Sequence, residues 1–141
     1  MISNMTIAKE HRQYIEKTKC FICNREEAGI LFDADFAKDD PDAALEKLKY
    51  CFSISELNNI IVTLDKNGAI YAGQDRSFGY CPADKLNVID SAGAGDAFFA
   101  GACAAMICGA DLKSACETGN KTASKVLATT ENVFMPADDN L

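Results

Sequence analysis

The sequence predicts an α/β fold, and three observations carry that reading. Residues 59–64, Asn59-Ile60-Ile61-Val62-Thr63-Leu64, are a β-branched run of the kind found in the middle of a parallel sheet, buried on both faces. Shorter strand-like segments lie at residues 20–23, 69–73 and 77–81, and amphipathic or Ala-rich helical segments alternate with them at 42–50, 97–108 and 112–128. The chain's 141 residues suffice for one domain with a real core and are too few for two ordinary ones.

Each element has a local cause. Residues 7–17 read as a helix with Ile7, His11, Tyr14 and Ile15 on one face. Cys20-Phe21-Ile22-Cys23 is a short apolar strand, and Asn24 after it is a good N-cap with Glu27 three residues on, a capping-box arrangement. Pro41 suits a helix start and leads into a helix whose Ala44, Leu45 and Leu48 face the core. After the 59–64 strand, Asp65-Lys66-Asn67-Gly68 makes a tight turn and residues 69–73 return as a second strand. Residues 77–81 form one more short strand, placed at an edge by Pro82. Of the last two helices, Gly109 ends the first and Asp111 caps the second.

Composition narrows the functional classes. The formal net charge is −7, which argues against nucleic acid or a membrane surface as partner, since either needs clustered Lys and Arg. The start of the chain lacks a basic region followed by an apolar core, and the longest apolar run, residues 97–108, is shorter than the roughly 20 residues of a membrane span. A soluble, cytoplasmic protein is expected. The seven cysteines are scattered in apolar segments and read as reduced, buried thiols. Cys20 and Cys23 have CxxC spacing, but on a strand residues three apart face opposite ways, and His11 is the single histidine, so no metal site is expected there.

The chemistry concentrates at Asp90-Ser91-Ala92-Gly93-Ala94-Gly95-Asp96-Ala97-Phe98, a small-residue turn opening an apolar helix. Glycines flanking an alanine let a ligand approach the backbone closely. The free N–H groups of residues 94–96, at the positive end of the helix dipole, make a site for a phosphate or a developing anion. Asp96 among them can accept a proton from a substrate hydroxyl. The spacing fails the dinucleotide fingerprint, because Phe98 stands where its third glycine belongs, and no Gly-Lys-Ser/Thr follows to make a Walker-type loop.

These nine residues resemble the C-terminal signature of the PfkB (ribokinase-like) carbohydrate kinases, Asp-Ser/Thr-x-Gly-Ala-Gly-Asp-x-Phe, and other segments agree with that family in the same order from about residue 20 to 136. The resemblance implies ATP and Mg2+ as cofactors, with Asp96 as base and Gly93, Ala94 and Gly95 framing the anion hole. Asn24 and Glu27 match the family's Asn-x-x-Glu motif, which orders magnesium. Thr63 and Gly68 match its phosphate-contacting Thr-x-Gly-x-x-Gly segment, with Asp65 in place of the middle glycine; an acid there needs to point away or to meet a cation. Asp90 and the Ala92 carbonyl resemble part of a monovalent-cation site, which would take K+. Asn120, Ala123 and the loop through Val133 are implied to flank the adenine.

The similarity corresponds only to the C-terminal half of such a kinase. It implies a three-layer ribokinase-like half-domain, a mostly parallel sheet with flanking helices, lacking the N-terminal portion that binds the acceptor and forms the lid. The implied activity is transfer of the γ-phosphoryl group of ATP to an alcohol group of a sugar or nucleoside; the alternative is a truncated, inactive nucleotide-binding fragment. A sheet cut through its middle exposes an apolar edge, so a homodimer or a complementing N-terminal half is the expected partner.

Overall fold

Alternation along four short strands decides the architecture, as the computed structural model of residues 2–84 and 93–127 shows. β1 (Phe21–Asn24), β2 (Asn59–Thr63), β3 (Ala69–Gly73) and β4 (Phe78–Cys81) form one sheet in that spatial order. Phe21, Cys23, Ile60, Val62, Ile70, Ala72 and Tyr80 point to one face and meet Met5, Ile15, Leu31, Phe36, Leu48 and Phe52 there. Ile22, Ile61, Ala69, Tyr71 and Cys81 point to the other, against Phe98, Ala102, Ala115 and Cys116. The first layer is built by α1 (Ile2–Glu10), α2 (Arg12–Glu16), α3 (Arg25–Phe32) and α4 (Pro41–Ser53), and the other by α5 (Ala94–Ile107) and α6 (Leu112–Leu127). Three layers are the result, and Ile60, Ile61 and Val62 of β2 are each 0% exposed, as their unbroken apolar run requires.

The expected α/β class holds, but the expected weighting toward parallel pairs does not hold among the described strands. β1 and β2 pair in parallel, whereas β2–β3 and β3–β4 are antiparallel. The reason is connection length: a 3₁₀ turn, Asp65–Asn67, joins β2 to β3, and a bend at residues 74–77 joins β3 to β4. Only β1 and β2 are separated by a chain long enough for the helical crossover that a parallel pair needs. β4 ends at Cys81 before Pro82 and forms one edge of the described sheet, as the proline predicts.

Local signals set most helix ends. The Asp40 carboxylate accepts the Ala43 N–H at 2.8 Å, with Pro41 in the first turn of α4, and the Asp111 carboxylate accepts the Ser114 N–H at 2.8 Å before α6. Gly109, at φ +90°, ends α5. The N-terminal helix departs from expectation. It begins at residue 2 and breaks at His11 (φ −112°, ψ 44°), which shifts the phase of the faces. Met5 and Ile15 are buried, while Ile7, His11 and Tyr14 are exposed and border a shallow groove of about 390 Å³.

α5 and α6 approach closely because each offers the other a glycine. A Cβ on Gly101 would lie 2.4 Å from Thr122 Oγ1, and one on Gly119 would lie 2.8 Å from the Phe98 ring. Gly101→Val and Gly119→Val are each expected to lower stability by about 1–3 kcal/mol through overpacking. Thermal denaturation reads this as a reduced Tm, and an unchanged Tm in both variants contradicts the close contact.

Candidate active site

Because β1 and β2 run in parallel, both end on the same edge of the sheet, and their register sets Asn24 beside Thr63. The carboxyl ends of parallel strands are where open α/β sheets bind ligands. Asn24 caps α3 reciprocally with Glu27. Its Oδ1 accepts the Glu27 N–H at 2.9 Å, and Glu27 Oε2 accepts the Asn24 N–H at 2.9 Å. This capping box fixes both half-buried side chains and turns them to backbone, yet it engages one carboxylate oxygen of Glu27 and leaves the other for a further ligand. Thr63 Oγ1 lies 3.5 Å from the Cys23 carbonyl.

The turn after β2 is closed by the Leu64 N–H donating to the Gly68 carbonyl at 2.7 Å. Gly68 sits at φ +98°, and a Cβ on it would fall 2.1 Å from the Cys81 carbonyl oxygen and 2.6 Å from Ala83 N. The chain's own packing therefore demands this glycine. Asp65 meets a cation, as its position requires: Arg25 Nε is 3.9 Å from its carboxylate. Arg25 is itself anchored, with Nη1 donating to the Phe36 carbonyl at 2.9 Å and the Asp39 carbonyl at 2.7 Å. A groove of about 800 Å³ opens beside Asn24, Arg25, Phe36 and Asp65.

Sequence reasoning missed Arg25. The available signal was indirect: residues 25 and 65 follow strands that end on one edge, and an acid at 65 needs a nearby cation.

At the start of α5, Gly93 is the N-cap in the left-handed region (φ +79°) and supplies no side-chain cap. The helical ladder opens with the Ala97 N–H donating to the Gly93 carbonyl at 2.9 Å, so the N–H groups of Ala94, Gly95 and Asp96 have no partner within the helix. The Asp96 side chain is exposed, and a Cβ on Gly95 would meet nothing within 4 Å. Among the described residues, no hydrogen bond or ion pair links Asp96 to Asn24, Glu27 or Thr63.

Asn120 is buried, and its Nδ2 donates to the Cys81 and Pro82 carbonyls, each at 3.1 Å, so its donors hold the end of β4. Ala123 packs into the core beneath α5 and α6. Asp90, Ala92 and Val133 lie outside the described residues. Cys20 and Cys23 face opposite cores, as their strand spacing predicts. Burial, aided by the neighbouring Cys103, pushes the Cys20 thiol up to about 12, and burial pushes that of Cys23 higher still.

The match to known families decides the relationship. The model of the pfkB family carbohydrate kinases fits residues 1–137, almost the whole chain. The chain belongs to the pfkB family. Guanosine-inosine kinase of Exiguobacterium acetylicum is 30% identical to it over 136 residues, covering 94% of this chain and 43% of that protein. A putative sugar kinase from Clostridium perfringens superposes with a TM-score of 0.78 at 20% identity, over 95% of this chain and 40% of its own. A nucleoside kinase from Methanocaldococcus jannaschii superposes with a TM-score of 0.66 at 27% identity, over 88% and 38%. This pfkB-family chain thus shares the fold of those kinases over the part it spans, which is about two fifths of their length.

The thiol environments give a pH prediction. In the unfolded chain the Cys20 and Cys23 thiols ionise near their ordinary value, whereas in the folded chain they stay protonated to much higher pH. Their contribution to stability is full below that ordinary value and is lost as pH rises toward the folded values. Native-state alkylation at pH 8 should label exposed Cys108 well before Cys20 or Cys23; equal rates, read by peptide mass spectrometry, contradict the assigned burial.

Proposed function

We propose that this pfkB-family chain carries the ATP-binding and catalytic portion of a kinase that transfers the γ-phosphoryl group of ATP to an alcohol group of a sugar or nucleoside. The observation that carries the reading is the start of α5, where exposed Asp96 stands beside three N–H groups without helical partners and under open space at Gly95. A glycine inside a helix costs about 1 kcal/mol relative to alanine, and among the described residues no atom lies within 4 Å of a Cβ placed at position 95. The relatives' names, guanosine-inosine kinase and nucleoside or sugar kinases, support the acceptor class.

In this reading the acceptor hydroxyl passes its proton to Asp96 as its oxygen attacks the γ-phosphorus. The phosphorus–oxygen bond to the β-phosphate breaks, ADP leaves, and the N–H groups of Ala94, Gly95 and Asp96, framed by Gly93, hold the charge on the phosphoryl oxygens. Thr63 and the turn closed at Gly68 face the phosphates. Asn24 and Glu27 offer the hard oxygen donors that Mg2+ prefers, held rigid by the capping box, and would hold the ion through water while it neutralises phosphate charge. We assign Asn120, which also holds the end of β4, to the neighbourhood of the adenine together with Ala123 and Val133. Asp90 and Ala92 are assigned to a K+ site.

A second reading is a nucleotide-binding portion without independent phosphoryl transfer; the chain spans about two fifths of its relatives' length. Transfer to inosine or ribose by this chain alone separates the two. We further propose that the chain pairs with a complementing N-terminal portion or a second copy. β1 is an end strand of the described sheet, and Phe99 and Ile107 of α5 are 52% and 86% exposed. No described helix is long and apolar enough to cross a membrane, and the seven cysteines are free, which fits a reducing compartment such as the cytoplasm.

Two measurements test the site. Mg-ATP should raise the Tm of the chain by mass action, and Gly95→Ala should raise the ligand-free Tm slightly while reducing that shift. Asp96→Asn should keep the Mg-ATP shift and, in the completed kinase, lower kcat by about 10²-fold or more. Full turnover with Asp96→Asn, or an undiminished Mg-ATP shift with Gly95→Ala, contradicts the assignment.

A further inference from the structure

Arg25 and Asp65 stand in the candidate site without a role in the reading above, and we propose that they form a charge-compensating pair. Arg25 cancels the carboxylate at Asp65, so that the turn after β2 can lie against the phosphates of a nucleotide. Arg25 is a positioning residue on this view, and the inference rests on the proposed nucleotide site at the same strand ends.

Asp65 is exposed and loosely held. Its φ of +53° is in the left-handed region, which Asp tolerates better than most side chains, and its side chain is 81% exposed. It opens the turn that follows Thr63, which places an acid where anionic oxygens would approach. Arg25 is the opposite case. Its side chain is 12% exposed and is held by the Phe36 and Asp39 carbonyls through Nη1, which leaves Nε facing Asp65 at 3.9 Å. Lys9 and Lys47 are engaged by Asp33 and Asp39 on the flanking loop, and Lys66 on the turn itself is exposed.

Two roles of Arg25 can be separated, because its anchoring bonds go to carbonyls and its charge goes to Asp65. A pure anchor is not rescued by changing residue 65, whereas a charge compensator is. Titration calorimetry of the full chain with Mg-ATP reads the difference. Arg25→Gln, which keeps an amide donor and removes the charge, should weaken binding about tenfold or more. Asp65→Asn should leave binding equal or tighter. The double variant should return to within about threefold of Asp65→Asn. If the double variant binds as weakly as Arg25→Gln, the proposal is overturned and Arg25 is an anchor only. Should Arg25→Gln fail to fold, Arg25→Lys replaces it; it keeps the charge and loses the fork, and a tenfold loss there also overturns the proposal. Absence of Mg-ATP binding by the unmodified chain overturns the nucleotide-site reading and this inference with it, whereas binding without rescue overturns this inference alone.

Discussion

The candidate site depends first on one parallel pairing. β1 and β2 are joined in a register that sets Asn24 opposite Thr63, and this register is hard to shift because Cys23, Ile60, Ile61 and Val62 are buried among helices on both faces. A slip of one residue would turn each β1 side chain to the opposite core. The same constraint fixes the start of α3, since Asn24 is at once the last residue of β1 and the N-cap of the helix. Strand pairing, capping box and the placement of Glu27 are therefore one structural event, and the polar groups at the strand ends inherit the rigidity of an apolar sheet.

The glycines show how fold and site divide the chain between them. Gly68 and the reciprocal pair Gly101 and Gly119 are filled against by the protein's own atoms, so the fold alone explains them. Gly95 is not. It lies in the first turn of α5 with open space above it, beside Asp96 and the left-handed Gly93. In the proposed reading that space is left for a ligand. α5 carries the same division along its length: Phe98 and Ala102 close onto the sheet, while Phe99 and Ile107 face outward.

Much of this was legible in the sequence because its causes are local. The Asn24–Glu27 capping box, Pro41 after the Asp40 cap, Gly109 at the end of α5 and the Asp111 cap each need only three or four consecutive residues. The opposed faces of Cys20 and Cys23 follow from strand period alone. What escaped depends on residues far apart in the chain. Arg25 contacts Phe36, Asp39 and Asp65 through the folding back of a loop and the end of a neighbouring strand. The Asn120 side chain likewise reaches carbonyls nearly 40 residues earlier. The N-terminal helix breaks at His11, and of the four residues expected on one face only Ile15 is buried, because contact with the core and not periodicity alone chooses the face.

The central claim is that the strand ends around Thr63 and the start of α5 serve one nucleotide, although no described hydrogen bond or ion pair joins them. Amide chemical-shift mapping of the ¹⁵N-labelled chain titrated with Mg-ATP tests this most directly. The account predicts saturable shifts that share one Kd at residues 63–68 and at residues 94–96, with α1 and α2 unmoved. Shifts confined to one of the two segments, or to the groove between Ile7 and Tyr14, would contradict it.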